Sequence, residues 1–128
     1  MNQEDIIKIQ LIEQEVNNHN EQLRVIEQNI SDMNNLNASL EEIRNENNIL
    51  VNLGKNIFIP VEVKDKKLII NVGKNNLVKK TIPETNKLIE SQINNLIEVK
   101  RQIMERLEVL QNEIRDLVEN IEKEQKDR

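Results

Sequence analysis

The chain has 128 residues, 37% hydrophobic and 32% charged, with one Phe, no Tyr, no Trp, no Cys and a net charge of -5. Aromatic rings supply much of the bulk of ordinary cores, so this composition argues against a rounded enzyme-like domain and favours a narrow surface packed with Ile, Leu and Val. Interspersed acids and bases argue against nucleic-acid binding, no run approaches the roughly 18 apolar residues of a membrane span, and disulfides, thiolate metal sites and cysteine nucleophiles are ruled out. The start, Met1-Asn2-Gln3-Glu4-Asp5, is acidic with no continuous apolar run behind it, so no signal peptide is expected.

Residues 1–48 read as a coiled-coil helix. Ile9, Ile12, Val16, His19, Leu23, Ile26, Ile30, Met33, Asn37 and Leu40 recur in alternating steps of three and four. That spacing keeps them on one stripe of a slightly underwound helix. From Ile49 the character changes. Residues 49–81 hold four short β-prone runs separated by Gly54-Lys55-Asn56, Lys64-Asp65-Lys66-Lys67 and Gly73-Lys74-Asn75. Gly and Asn supply the positive φ that tight turns demand, so the segment is expected to form two hairpins. A lone hairpin is marginal in water, so these strands need partners. Residues 82–128 read as a second coiled-coil helix with a polar tail from Glu122 to Arg128. Thr81 caps its start and Glu84 reaches back as in a capping box, with Pro83 in the first turn. Its stripe is Ile89, Ile93, Leu96, Lys100, Ile103, Leu107, Leu110, Ile114, Leu117 and Ile121.

Each helix of about 40 residues is roughly 60 Å long at 1.5 Å per residue. The fold class is therefore α+β, mainly α: one domain in which a long antiparallel two-helix coiled coil is joined by two β-hairpins. If Ile49 and Thr81 mark matched ends, Ile9 lies near Ile121 and Leu23 near Leu107, with both termini together and away from the strands.

Helix, two hairpins, helix resembles the prefoldin subunit plan over essentially the whole chain. Ile49-Leu50-Val51-Asn52-Leu53-Gly54 looks like the family's first strand and Phe58-Ile59-Pro60-Val61-Glu62-Val63-Lys64-Asp65 like its second. Leu68-Ile69-Ile70-Asn71-Val72-Gly73, then Leu77-Val78-Lys79-Lys80-Thr81, is similar to the passage before the family's C-terminal helix. Two hairpins indicate the α class. Asn52 stands where many α-type members have Pro, and the turn from Lys64 to Lys67 is short. The resemblance implies an ATP-independent, cytoplasmic chaperone that needs no cofactor. In it, strands join into an oligomeric β-barrel holding two α and four β subunits, and coiled-coil tips grip unfolded client proteins for delivery to a group II chaperonin. Assembly would fall to Leu50, Val51, Leu53, Ile57, Ile59, Val61, Val63, Leu68, Ile70, Val72 and Val78.

The N-terminal tip carries the client expectation. Five of the seven residues from Ile6 to Ile12 are apolar. Ile6, Ile7 and Leu11 fall off the stripe, with Val118 expected close by and Leu117 and Ile121 at the seam. Exposed apolar clusters often mark binding surfaces; frayed ends or contact with a neighbouring coiled coil are the plainer alternatives. A structural spacer or tether in another complex is the rival reading of the whole chain. His19, alone and on the stripe, reads as a polar interruption rather than a metal ligand, as do Asn37 and Lys100. Glu13/Glu15 and Glu41-Glu42 lie on solvated faces, and no serine has an adjacent base, so no catalytic site is expected.

Overall fold

The structure is a computed structural model describing residues 2–126; Met1, Asp127 and Arg128, and with them the end of the polar tail, lie outside the described residues. The elements follow in the order α1 (Gln3–Asn45), β1 (Asn48–Gly54), β2 (Ile57–Glu62), β3 (Leu68–Asn71), β4 (Leu77–Lys80) and α2 (Ile82–Lys126). They divide into two compact units, Met1–Asn29 with Asn95–Arg128, and Ile30–Asn94.

In the first unit the expected stripes are the protected ones. Ile26, Leu107 and Leu110 are buried, and Ile9, Ile12, Val16, Leu23, Ile103 and Ile114 are half-buried between exposed polar neighbours. Removing a Leu or Ile side chain from water contributes about 1.5–3 kcal/mol, so this thin seam holds the pair together. Asn2 Oδ1 accepts from the Glu4 amide at 3.1 Å and starts α1. Across the seam Arg106 Nε donates to Glu15 Oε1 at 3.0 Å, and Lys100 Nζ lies 3.3 Å from Glu27 Oε1. Lys100 thus interrupts the stripe with its stem and carries its charge out to a partner on α1. His19 sits between Gln22 Oε1 and Glu15 Oε1, at 3.1 and 3.4 Å from its two ring nitrogens.

In the second unit Leu40, Ile82 and Ile89 form a buried core, with Met33, Ile43, Leu68 and Ile93 packed against it. Thr81 caps α2 by accepting from the Glu84 amide at 3.2 Å. The protected stripe of α2 begins a full two turns before Ile89, at Ile82, and includes Thr85. Asn86 Nδ2 donates to Glu41 Oε1 at 3.1 Å. Asn37 and Asn86 each bury a carbonyl oxygen without a hydrogen-bond partner, a cost that polar seam residues impose in return for register.

Across the helix pair Glu15 meets Arg106, Glu27 meets Lys100 and Glu41 meets Asn86, so α1 and α2 run antiparallel, with Leu40 and Ile89 in one core.

The hairpins are antiparallel, β1 with β2 and β3 with β4. They are two copies of one design set nineteen residues apart. Asn52 pairs with Phe58 and Asn71 with Leu77; Leu50 pairs with Pro60 and Ile69 with Lys79. Each turn is Asn-x-Gly-Lys-Asn. Lys55 and Asn56, and likewise Lys74 and Asn75, both take positive φ, after Gly54 and Gly73 at φ 120° and 118°. Two consecutive positive φ values make the type I′ turn whose twist matches a hairpin. The Asn52 side chain accepts from the Gly54 amide at 2.8 Å, and Asn71 does the same for Gly73 at 2.9 Å. Asn52 is therefore a turn-forming residue here. The short Lys64–Lys67 turn is closed by Asp65 Oδ1, which accepts from the Lys67 amide at 3.0 Å, and tied to α1 by Lys66 Nζ donating to the Arg44 carbonyl at 2.7 Å.

Candidate functional site

Two surfaces carry exposed apolar side chains in concentration. The first lies at the paired ends of α1 and α2 in the first unit. Ile6, Ile7, Leu11 and Val118 are exposed, and Leu117 and Ile121 are half-buried along the seam. Leu11 is 60% exposed. It lines a shallow open groove with Lys8, Ile12, Glu113, Asp116 and Leu117. The structure thus brings Leu11 and Leu117 into one depression, with Ile6, Ile7 and Val118 outside its lining. The helical period produces this arrangement: Leu11 and Ile12 are adjacent in sequence and about 100° apart around the helix, so one faces the seam and the other faces water. Off-seam apolar residues also recur elsewhere, at Val25, Leu36, Ile97, Met104 and Val109. At this end the groove is lined by the seam residues Ile12 and Leu117 and by charges of both signs, Lys8, Glu113 and Asp116.

Farther along the two helices charges form solvated ion pairs. Arg106, hydrogen-bonded to Glu15, holds that carboxyl below its usual value; Arg24 does so for Glu21, and Arg101 for Glu98. Exposed pairs of this kind contribute little stability. Among the described residues no three His, Cys, Asp or Glu come together as a metal site, and no helix is long and apolar enough to cross a membrane.

The second surface is the hairpins. On the first, Val51, Leu53, Ile57 and Ile59 are exposed on one face, where Ile49, Val61 and Val63 are half-buried. Leu50, Phe58 and Pro60 are exposed on the other. A strand apolar on both faces suits a sheet covered on both sides, and here most of these side chains are exposed. On the second hairpin Leu68, Ile70 and Val78 are half-buried, Leu68 against the core, while Ile69, Val72 and Leu77 are exposed. Sequence reasoning left out Phe58, Ile69 and Leu77, although they stand in the apolar runs Ile57-Phe58-Ile59, Leu68-Ile69-Ile70 and Leu77-Val78 and are exposed. It also missed a charge bias. Seven of the 18 basic residues fall within 48–81, against only Glu62 and Asp65.

Residues 12–127 match the family model described as "Prefoldin subunit". Among solved structures the chain resembles a filamentous prefoldin from Methanocaldococcus jannaschii determined by cryo-EM. The TM-score is 0.75 at 19% identity, over 88% of this chain and 97% of that one, which is a likeness of fold. No curated protein matches in sequence.

Proposed function

The chain belongs to the prefoldin family, a family of non-enzymatic chaperones, and on that premise we propose that it is an α-class subunit, an ATP-independent chaperone that captures non-native proteins at its coiled-coil tip. The two hairpins support the α class. The exposed groove around Leu11 supports client capture, and it is the observation that carries the reading. Single Ile or Leu contacts contribute at most about 1.5–3 kcal/mol, less the ordering they impose. Several such tips in one assembly would hold a client by avidity and still release it. The hairpins' exposed apolar faces would be covered in the β-barrel of a hexamer of two α and four β subunits. Handover to a group II chaperonin in the cytoplasm completes the proposed cycle.

The test is suppression of aggregation of a chemically denatured protein, without ATP, by the co-expressed assembly. Changing Ile6, Ile7 and Leu11 to Ser should abolish protection and leave the assembled mass unchanged in native mass spectrometry. Undiminished protection by that assembled variant would refute the tip assignment. An assembled wild-type complex that protects no client would favour a spacer role instead.

A further inference from the structure

Over the whole chain acids and bases are interspersed, but by segment they are not. Residues 48–81 hold seven Lys against Glu62 and Asp65, a net charge of +5, while the other eleven bases and 21 acids leave -10 for the rest of the chain. Six of these lysines are exposed and Lys80 is half-buried. Lys66 is taken up by the Arg44 carbonyl. Among the described residues none of the seven forms an ion pair; the pairs lie on α1 and α2.

The turns sharpen this bias. A two-residue type I′ loop favours Asn, Asp or Gly where φ is positive, and a side chain such as Lys is uncommon there. Lys55 at φ 52° and Lys74 at φ 50° nevertheless take the first loop position of both hairpins, ahead of Asn56 and Asn75. Turn geometry gives no reason for Lys, and the same departure occurs twice. A backbone departure repeated at two exposed tips points to work done by the side chain. Lys64 and Lys67 stand in the connecting turn, which Asp65 closes through the Lys67 amide and not its side chain. All four lie outside the paired strands, so an assembly that covers the strands' apolar faces can leave them in water.

The type of cation separates phosphate from carboxylate as the partner group. On the helices carboxylates are paired mainly by Arg24, Arg44, Arg101 and Arg106, whose planar fork fits a carboxylate. Residues 48–81 contain no Arg. Lys meets a phosphate as a point charge without fixed geometry, and contacts of that kind hold a nucleic-acid backbone whatever its sequence. We propose that Lys55, Lys64, Lys67 and Lys74 bind the phosphate backbone of a single-stranded nucleic acid. A single strand suits them because its flexible backbone can follow cations on two hairpins and the turn between them. The exposed amides of Asn56, Asn75 and Asn76 can donate to its phosphate or sugar oxygens. This surface uses no residue of the Leu11 groove and does not depend on client capture.

The test is fluorescence anisotropy of a labelled oligothymidylate titrated with the purified full chain at several salt concentrations. Affinity should fall about fiftyfold between about 50 and about 200 mM salt, a slope near -2.8 at roughly -0.7 per phosphate neutralised. Lys55→Gln combined with Lys74→Gln should bind about tenfold more weakly at the lower salt and flatten the slope by about 1.4. Lys55→Arg with Lys74→Arg keeps the charge and should bind as the wild type does. So should Lys123→Gln with Lys126→Gln, at the end of α2. Circular dichroism checks folding, and Lys67→Gln, expected to flatten the slope by about 0.7, is the second variant should the tip pair fail to fold. No binding at the lower salt, undiminished binding by the Gln variants, or equal loss in the α2 pair overturns the proposal. Equal or tighter binding of a polyglutamate peptide or of phosphatidylserine vesicles does so too, and would assign these lysines to an acidic protein or a membrane surface.

Discussion

Leu110 and Leu11 are the same side chain in opposite surroundings, 1% and 60% exposed, and they separate stability from capture. Truncating Leu110 to Ala removes three carbons from the seam. At ~0.8 kcal/mol per buried methylene the transfer loss is about 2.4 kcal/mol, and a cavity term between helices that close only partly brings it to about 3 kcal/mol. For a chain of this size, at roughly 3–4 °C per kcal/mol, the melting temperature should fall by about 10 °C. Leu11 has already left well over half its surface in water, so the same truncation costs about 1 kcal/mol or less, some 3 °C. Thermal unfolding followed at the helical signal checks this, at one protein concentration because association raises the apparent midpoint. Client protection should show the reverse order, falling in Leu11→Ala and holding in Leu110→Ala below its melting range. If the two variants melt within about 2 °C of each other, the seam is not where the structure places it.

Acid should weaken the first unit through Glu15. Arg106 lowers its carboxyl below the ordinary value of 4.5, so its stabilisation is present above that value and is lost as pH falls through the lower folded one. Glu15→Gln should therefore melt below the wild type at pH 7, with the gap closing in acid and in high salt; a gap that widens on acidification contradicts the pairing. In the hairpins, Asn52→Ala and Asn71→Ala remove equivalent side-chain bonds to Gly54 and Gly73. Each should speed exchange of that glycine's amide about fivefold, as loss of ~1 kcal/mol implies. Unequal effects measured by NMR would argue against the repeat.

The groove at Leu11 was half legible in sequence. The stripe positions followed from spacing alone, and with them the outward direction of Ile6, Ile7 and Leu11. That Leu11 shares a depression with Leu117 depends on the partner helix and could not follow from α1. The seam's extension to Ile82 and Thr85 was hidden because Pro83 reads as a boundary, although it sits in the first turn of α2.

What the chain determines locally is therefore considerable: two helices, their buried stripes, four strands and two turns, since each rests on periodicity or turn chemistry within a few residues. Tertiary structure decided what depends on distant residues meeting. It set which polar residues meet across the helix pair, Glu15 with Arg106, Glu27 with Lys100 and Glu41 with Asn86. It turned Leu68 inward against Leu40, Ile82 and Ile89 while leaving Ile69 and Leu77 outside. It also paired Leu50 with Pro60 and Ile69 with Lys79, because the register between strands, unlike side-chain alternation, is not written in either strand alone.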